Sequence, residues 1–332
     1  MIIDNQSKFL FVGLGGAGQR HLRIFRELLP NAEFYGYRTT KKTPLLNNDF
    51  TIDNKSNIIK KYKISLINEI SEINKLKPKL TIISVPNSLH FYYAKLAINA
   101  HSNVFVEKPG CLSLSDTKRL KNLLDKNNLF FKVGYQRKYH PLFKLVSHYI
   151  KSKILGDLNK VEIDVSSYIP SWHPYEDFRD LYACRKKLGG GVITTECHEI
   201  EMVLDLFGKP SHSKLDFSNL SKDIIETPDT IKGILKYPDF NVILDISFFR
   251  NPSNRLIKFH FNRENLTWDI NNQVLWIGKN KKNKIKLHLQ NEELFRLQAV
   301  DILNFDHNET KKNLSNLELY TSLLDIHKDK IF

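Results

Sequence analysis

A glycine-rich turn between an apolar run and a helical pattern constrains this chain more than any other feature. Residues 8–12 read KFLFV, residues 13–18 read GLGGAG, and QRHLRIFRELL follows with apolar residues at helical spacing. Gly13 permits a tight turn, Gly15 lets the backbone approach a phosphate, and Gly18 permits close packing of helix on strand. A GxGxxG motif between a strand and a helix predicts a dinucleotide-binding unit, and a plain glycine turn is the alternative. Because the helix start offers free N–H groups to phosphates, we expect cofactor contacts at Gly13, Gly15, Gly16, Ala17, Gly18 and Gln19.

The residues after the second predicted strand bear on which dinucleotide binds. An NAD-selective site places a carboxylate there to bind the ribose 2′-hydroxyl. Residues 37–42 read YRTTKK and contain no carboxylate. Arg38 and the hydroxyl of Thr39 are groups that would hold a 2′-phosphate. We therefore predict NADP as the preferred cofactor, with NAD as the alternative.

Strand and helix patterns alternate over the first part of the chain. The expected strands are 8–12, 33–38, 79–85, 104–106 and 129–135, and the expected helices after the glycine turn include 66–76, 90–100 and 113–128. Such alternation predicts an α/β Rossmann fold with a doubly wound parallel sheet. We assign residues 1–135 to this dinucleotide-binding domain.

The pattern changes after residue 136, where longer alternating segments are joined by turn residues. They predict a largely antiparallel open sheet, and this α+β part is flanked by helices. We assign residues 136–332 to a substrate-binding and oligomerisation domain. Its expected strands are 160–169, 230–237, 240–249, 255–262, 265–270 and 273–278, and its expected helices are 141–151, 192–207, 293–304 and a closing helix.

Composition excludes several classes of protein. A chain of 332 residues with 41% hydrophobic residues can bury two cores. The formal net charge is +14, but the lysines are spread along the chain and no nucleic-acid module is legible, so we expect an anionic small molecule as partner instead. No apolar run is long enough for a membrane helix, and no signal peptide is evident. Three scattered cysteines indicate neither disulfides nor zinc, and we expect a cytoplasmic protein without a metal.

Residues 104–110 read VFVEKPG, so a buried strand ends in an ion-capable pair and a helix breaker. A solvated strand end with a turn is the simple interpretation of this segment. Together, however, GLGGAGQRH, ISVPNSLH at 83–90 and VFVEKP resemble the glucose–fructose oxidoreductase / inositol dehydrogenase / MocA (Gfo/Idh/MocA) family over nearly the whole chain. The resemblance implies that the cofactor is bordered by Pro86, Asn87 and His90 and that the nicotinamide is bordered by Glu107, Lys108 and Pro109.

The second half adds to this resemblance. Residues 171–191 read SWHPYEDFRDLYACRKKLGGG and lead into VITTECHEIEMVLDLFG, which resembles a branch of the family associated with surface sugars. The resemblance implies that His198 is the catalytic histidine and that the substrate is a nucleotide sugar or a nonulosonic-acid-type sugar. Many relatives carry Asp three residues before this histidine, where this chain has Thr195, and Glu201 is a possible replacement.

Oxidation of an alcohol carbon needs a hydride acceptor and a group that handles the hydroxyl proton. An imidazole titrates near neutrality without any shift, whereas a lysine base needs a pKa about 3 units below its ordinary value. We therefore expect His198 to accept the proton and Lys108 to hold the reacting oxygen, and the opposite assignment stays open. The expected substrate residues are Gln136, Arg137, Trp172, His173, Arg179 and Tyr182.

Three functions are compatible with these residues. The first is an NAD(P)-dependent sugar dehydrogenase or reductase, acting as a homodimer or homotetramer. The second is a hydrolase or epimerase with a tightly bound cofactor that is reduced and reoxidised in each turnover. The third is a non-catalytic cofactor-binding sensor, which the threonine at position 195 favours and the presence of Lys108 disfavours.

Overall fold

The first part of the chain forms a six-stranded sheet in which every pair of neighbouring strands is parallel. The computed structural model describes residues 4, 6–38, 43–221, 224–278, 283–290, 292–304 and 306–332. The strands are β1 (Lys8–Val12), β2 (Glu33–Tyr37), β3 (Ile64–Leu66), β4 (Leu80–Ile83), β5 (Asn103–Val106) and β6 (Phe131–Val133). Their spatial order is β3-β2-β1-β4-β5-β6. This is the predicted doubly wound arrangement, and its order reverses between β1 and β4.

Among the described residues, five α-helices accompany these strands: α1 (Gly16–Leu28), α2 (Ile58–Tyr62), α3 (Ile73–Leu76), α4 (His90–Asn99) and α5 (Leu114–Asn127). The helix expected over 66–76 forms only from Ile70 onward, as the short turn Ile70–Glu72 that runs into α3. The start of the expected helix is wrong, because Leu66 pairs with Gly36 of β2 and ends β3 at the edge of the sheet.

The central strands of this sheet are buried on both faces. Phe9 and Phe11 of β1 and Phe105 of β5 are fully buried. Burial on both faces explains why these strands are continuous apolar runs in the sequence. Since the strands are parallel, their carboxyl ends meet at one edge of the sheet, where Gly13 follows β1 and Glu107 follows β5.

The second sheet has eight strands: β7 (Leu158–Tyr168), β8 (His212–Ser218), β9 (Thr230–Lys236), β10 (Asn241–Ser247), β11 (Phe249–Phe261), β12 (Asn265–Asp269), β13 (Val274–Ile277) and β14 (Asn283–Lys286). Their spatial order is β14-β13-β12-β11-β7-β10-β9-β8. All neighbours are antiparallel except β7 and β10, which confirms the predicted, largely antiparallel sheet. The sequence did not indicate β8 and β14, which form the two edges.

The remaining helices are α6 (Pro141–Ser152), α7 (Val192–Thr195), α8 (His198–Phe207), α9 (Glu293–Leu303), α10 (His307–Ile326) and α11 (Lys328–Ile331). The late helices return to the first sheet: α9 contacts α1, and α10 contacts α5 and β6. One such contact joins the hydroxyls of Thr117 and Thr321 at 3.1 Å. The division of the chain near residue 135 therefore stays a prediction. Among the described helices, none has the length and apolar content needed to cross a membrane.

Candidate active site

Lys108 lies just beyond the end of β5 and reaches the segments before α8. Its Nζ donates a hydrogen bond to the Thr195 carbonyl oxygen at 2.6 Å and lies 3.5 Å from the Tyr182 hydroxyl. Burial lowers the pKa of this ammonium. Tyr182, Cys197 and the nearby carboxylates raise it by more than burial lowers it, so the net pKa lies above the ordinary lysine value. Lys108 therefore stays cationic near neutrality and is a hydrogen-bond donor.

His198 is the first residue of α8 and is only 6% exposed. The ring of Tyr135 meets its imidazole edge to face, with centroids 6.1 Å apart. Burial, followed by the positive charges of Arg137, Lys108 and Arg255, lowers the pKa of His198 well below its ordinary value. The imidazole is therefore neutral near pH 7 and has a free lone pair to accept a proton.

Among the described residues, no carboxylate takes the place of the aspartate that many relatives carry before this histidine. Thr195 uses its carbonyl oxygen to bind Lys108, while its own hydroxyl is buried without a hydrogen-bond partner among the described residues. Glu201 does not orient His198, because its Oε1 accepts hydrogen bonds from Lys138 at 2.9 Å and Asn316 at 3.4 Å. Within the described part of the chain, His198 Nδ1 has no hydrogen-bond partner.

A buried ion cluster lies beside this histidine and interrupts the helix expected over 192–207. Arg255 Nη1 donates to both carboxylate oxygens of Glu199, at 2.7 and 2.6 Å, and Arg255 also pairs with Glu196. Burial raises the pKa of Glu196, but Arg255 and Ser167 lower it to about 2. Because Glu196 turns toward Arg255, its backbone leaves the helical conformation between α7 and α8.

The sequence analysis missed Arg255, although a pattern pointed to it. Arg255 shares the inward phase of β11 with the buried residues Ile257 and Phe259. A charged residue at an inward position of a strand requires a buried counter-ion. Its partner Glu196 lies 59 residues earlier in the chain, so the sequence pattern did not connect the two residues.

Glu107 is a buried anion that forms its closest side-chain contact with α1. Its Oε1 lies 2.6 Å from His21 Nε2, and its Oε2 accepts the backbone N–H of Lys108 at 3.2 Å. Burial raises the pKa of Glu107, but His21, Lys108 and Arg20 lower it to about 2. The Glu107 carboxylate therefore fixes the backbone of Lys108. The predicted contact between Glu107 and the cofactor stays a prediction. His21 belongs to the GLGGAGQRH segment, and the sequence pattern did not indicate its contact with Glu107.

The segment around 86–90 joins three parts of the site. His90 is fully buried and bonds the carbonyl oxygens of Pro109 at 2.6 Å and Val85 at 2.9 Å. Pro86 precedes a short turn in which Asn87 Nδ2 donates to the Gly189 carbonyl oxygen at 2.9 Å. These contacts position the end of β5 and the triple-glycine segment, and direct cofactor contacts of Pro86, Asn87 and His90 stay predictions.

The glycine turn fits a dinucleotide. Gly13 has φ +89°, and a Cβ there would lie 2.3 Å from the Ser84 carbonyl oxygen. A Cβ at Gly18 would lie 2.0 Å from the Gly13 carbonyl oxygen, so the helix packs tightly on the turn. Gly15 is open, with Thr43 Oγ1 as the nearest atom to a Cβ at 3.9 Å, and no side chain caps α1. The turn therefore offers both the space and the free N–H groups that a pyrophosphate needs.

Three further residues of this turn have distinct surroundings. Gly16 begins α1 beneath the ring of Phe50, and Ala17 is half-buried in the first helical turn. Gln19 is buried, donates to the Pro44 carbonyl oxygen at 2.7 Å and accepts the N–H of Leu46 at 2.9 Å. Gln19 therefore holds the loop that follows β2 against the glycine turn.

A pocket of about 380 Å³ opens beside the end of β2. Arg38 lines it and donates to the Thr43 carbonyl oxygen at 3.3 Å. Asp53, which also lines the pocket, is paired with Lys61 at 2.8 Å. The pocket therefore contains a guanidinium, a group that can bind a phosphate, and a carboxylate that is paired with a lysine. Thr39, the other predicted residue, lies outside the described residues.

The structure separates the predicted substrate residues into two groups. Tyr182 lies beside Lys108, and Arg137 is near enough to His198 to lower the pKa of the imidazole. Gln136 begins the short turn that carries Arg137. Arg179 is exposed and paired with Asp177, and it lines a separate pocket together with Cys184 and Arg185.

Trp172 and His173 also lie in different surroundings. Trp172 packs edge to face on Phe248, with centroids 5.6 Å apart. His173 stacks on Tyr175 at 5.2 Å and lies 5.4 Å from Phe50, next to the glycine turn. The substrate roles of these residues and of Arg179 stay predictions, and only the first group surrounds Lys108 and His198.

Comparisons with known proteins agree with this geometry. Residues 7–135 match the family model for an oxidoreductase family with an NAD-binding Rossmann fold, and residues 143–265 match the GFO/IDH/MocA C-terminal domain. The fold and site thus define an NAD(P)-binding Rossmann protein with a second, sheet-based half. The chain belongs to the GFO/IDH/MocA family of oxidoreductases.

Individual relatives are more distant. The chain is 25% identical over 185 residues to the scyllo-inositol 2-dehydrogenase (NADP(+)) IolW of Bacillus subtilis, covering 54% of this chain and 49% of IolW. The chain spans about half the length of the curated relatives it matches first.

Two solved structures show a similar fold over almost the whole chain. Biliverdin reductase of Synechocystis sp. PCC 6803, in complex with biliverdin and NADP+, has a TM-score of 0.73 at 15% identity, covering 96% of this chain and 98% of that one. The UDP-N-acetylglucosamine 3-dehydrogenase GnnA of Acidithiobacillus ferrooxidans has a TM-score of 0.73 at 14% identity, covering 96% of this chain and 96% of that one. At these identities the similarity concerns the fold.

Proposed function

We propose that this protein is a cytoplasmic NAD(P)-dependent oxidoreductase that transfers a hydride between the nicotinamide and a hydroxyl or keto group of a sugar derivative. The convergence of a cationic Lys108 and a neutral His198 supports this most directly, because one donates to the reacting oxygen and the other accepts its proton. IolW is by name an inositol dehydrogenase and GnnA a nucleotide-sugar dehydrogenase, which supports a sugar substrate. A nucleotide sugar or a nonulosonic-acid-type sugar used in surface polysaccharide synthesis is the substrate class we propose.

The residues divide the chemistry between them. A bound nicotinamide supplies the acceptor for the hydride. Lys108 donates a hydrogen bond to the substrate hydroxyl oxygen, and His198 takes the hydroxyl proton while the carbinol C–H bond breaks as hydride. The substrate loses two electrons and two hydrogens and becomes a ketone, and reduction runs through the same groups in reverse.

We propose NADP as the preferred cofactor. Arg38 lines the pocket at the end of β2, and β2 is not followed there by a carboxylate that would repel a 2′-phosphate. Asp53 in the pocket wall is already neutralised by Lys61. The pocket therefore suits a phosphate better than a bare ribose hydroxyl.

We also propose that the protein forms a homodimer, or a homotetramer, through the second sheet. Alternate residues on one face of β9 and β10, such as Lys232 and Ile243, are exposed. An open antiparallel sheet face of this kind can be covered by a second copy of the chain. Sedimentation analysis of the purified protein tests this, and a monomer at micromolar concentration contradicts it.

The function is tested by following nicotinamide absorbance with a panel of sugars, sugar acids and nucleotide sugars. We expect turnover with wild type and its loss in both Lys108→Ala and His198→Asn, while all three bind NADP. Cofactor binding without any net change in absorbance across the panel contradicts the dehydrogenase. The same assay then distinguishes the alternatives, because a recycling hydrolase or epimerase still converts the sugar and a sensor does not.

A further inference from the structure

β6, the strand that precedes Arg137, places this residue at the site. β6 ends at Val133, and the short turn Gln136–Tyr139 carries Arg137 two residues after Tyr135, whose ring meets His198. The positive charge of Arg137 is, after burial, the largest cause of the low pKa of His198. The guanidinium is thus close to the group that handles the substrate proton.

The guanidinium of Arg137 has no anion that it does not share. Its nearest carboxylate oxygen is Glu199 Oε1, at 3.9 Å from Nε, beyond hydrogen-bond distance. Glu199 is fully buried and uses both oxygens to bind Arg255. Arg137 Nε is buried without an acceptor among the described residues, while the side chain as a whole is 25% exposed. The buried Nε–H is costly to leave unpaired, and the exposed part of the fork is open to a ligand.

The other cations of the site are already paired. Lys138 binds Glu201 and Asp205 at 2.9 and 3.2 Å, and Lys108 donates to a backbone carbonyl. Glu107, the remaining carboxylate near Lys108, forms a hydrogen bond with His21 and also faces the charges of Lys108 and Arg20. One positive charge is left over in the set formed by Lys108, Arg137, Arg255, Glu196 and Glu199. The pKa of Arg137 agrees with this excess of positive charge, since burial and the charge of Arg255 lower it to about 10.

From this geometry we infer that the substrate is a sugar acid, whose carboxylate binds the Arg137 guanidinium within a few bonds of the carbon that is oxidised. This inference rests on the proposed function and narrows its substrate class. A carboxylate carries the single negative charge that the cluster lacks and matches the guanidinium fork with two parallel hydrogen bonds. A phosphate monoester would bring a second negative charge toward Glu199, for which the cluster has no further unpaired cation.

The test compares a sugar acid with its neutral and phosphorylated counterparts. Glucuronate, glucose and glucose 6-phosphate are measured for binding to the NADP-loaded protein by calorimetry and for turnover by nicotinamide absorbance. We expect wild type to prefer glucuronate over both counterparts. Arg137→Gln should weaken glucuronate binding on the order of 10- to 100-fold, the loss expected for a charged hydrogen-bonded pair, and should weaken glucose binding much less, because glucose has no carboxylate to lose. Arg137→Lys should recover part of the preference, because it restores the charge without the fork.

Arg119→Gln is the matched control, because Arg119 is an exposed residue of α5 that pairs with Asp116. Equal losses for glucuronate and glucose in Arg137→Gln, or a wild-type preference for glucose 6-phosphate, overturn the inference. Glucuronate binding that depends on Arg137 without turnover of any sugar supports the inference and contradicts the proposed function. Turnover of glucose with no preference for glucuronate overturns the inference and supports the proposed function. NADP binding by each variant confirms that it is folded.

Discussion

Lys108 Nζ donates a hydrogen bond to the Thr195 carbonyl oxygen across 2.6 Å and so ties the edge of the first sheet to the segment that begins α8. The contact fixes the ammonium relative to His198, which lies three residues beyond Thr195. The cation lowers the pKa of the imidazole, and the two groups therefore keep opposite roles near neutrality. One stays protonated and donates, whereas the other stays neutral and accepts.

Replacing Lys108 should separate chemistry from cofactor binding. Lys108→Ala removes the donor to the reacting oxygen, and we expect kcat to fall by about 10²- to 10⁴-fold, the usual range for a positioned acid or base. NADP binding, measured by calorimetry, should stay close to wild type. Lys118→Ala is the control, because Lys118 is an exposed residue of α5. Unchanged turnover in Lys108→Ala would refute the role.

Arg38 should control the choice between the two nicotinamide cofactors. Arg38→Ala removes a charged donor to the 2′-phosphate of NADP. NAD carries a neutral 2′-hydroxyl at that position and therefore loses no charged contact. We expect the Kd for NADP to rise by about 10- to 100-fold, and the Kd for NAD to change little. Fluorescence titration of both cofactors measures this. Equal weakening of NAD and NADP would show that Arg38 only supports the loop through Thr43.

The buried ion cluster should make folding stability depend on Arg255 and on acidic pH. Arg255→Met leaves two buried carboxylates without their cation, and we expect a loss of about 3–5 kcal/mol in the free energy of unfolding. The folded pKa of Glu196 is about 2 against an ordinary 4.5, so this stabilisation is complete above pH 4.5 and is lost as pH falls toward 2. Urea denaturation across that interval measures both effects. The slope with pH should be smaller in Glu196→Gln, and an equal slope contradicts the assignment.

Local patterns predicted five strands of the first sheet, because its central strands are buried on both faces and leave continuous apolar runs, but they missed β3 at its edge. The same reasoning failed at the edges of the second sheet, since β14 pairs with one neighbour only and all four of its residues are exposed. The glycine turn and the segment ending in Lys108 were legible because each requires particular residue types. The partners of Glu196 and Glu107 could not be predicted, because Arg255 and His21 come near these carboxylates only in the folded chain.

His198 should give a pH profile that differs from that of an ordinary histidine. Alcohol oxidation needs the neutral imidazole, and the folded pKa of His198 lies well below 6.5. We therefore expect kcat/KM for oxidation to stay level as pH falls to 6.5 and to decline only at lower pH. Arg137→Gln removes one of the cations that lower this pKa, so the decline should move to higher pH. A pH profile of kcat/KM for both proteins, with Arg119→Gln as the control, measures the shift. A decline centred at 6.5 in wild type, or no shift in Arg137→Gln, would show that another group limits the reaction.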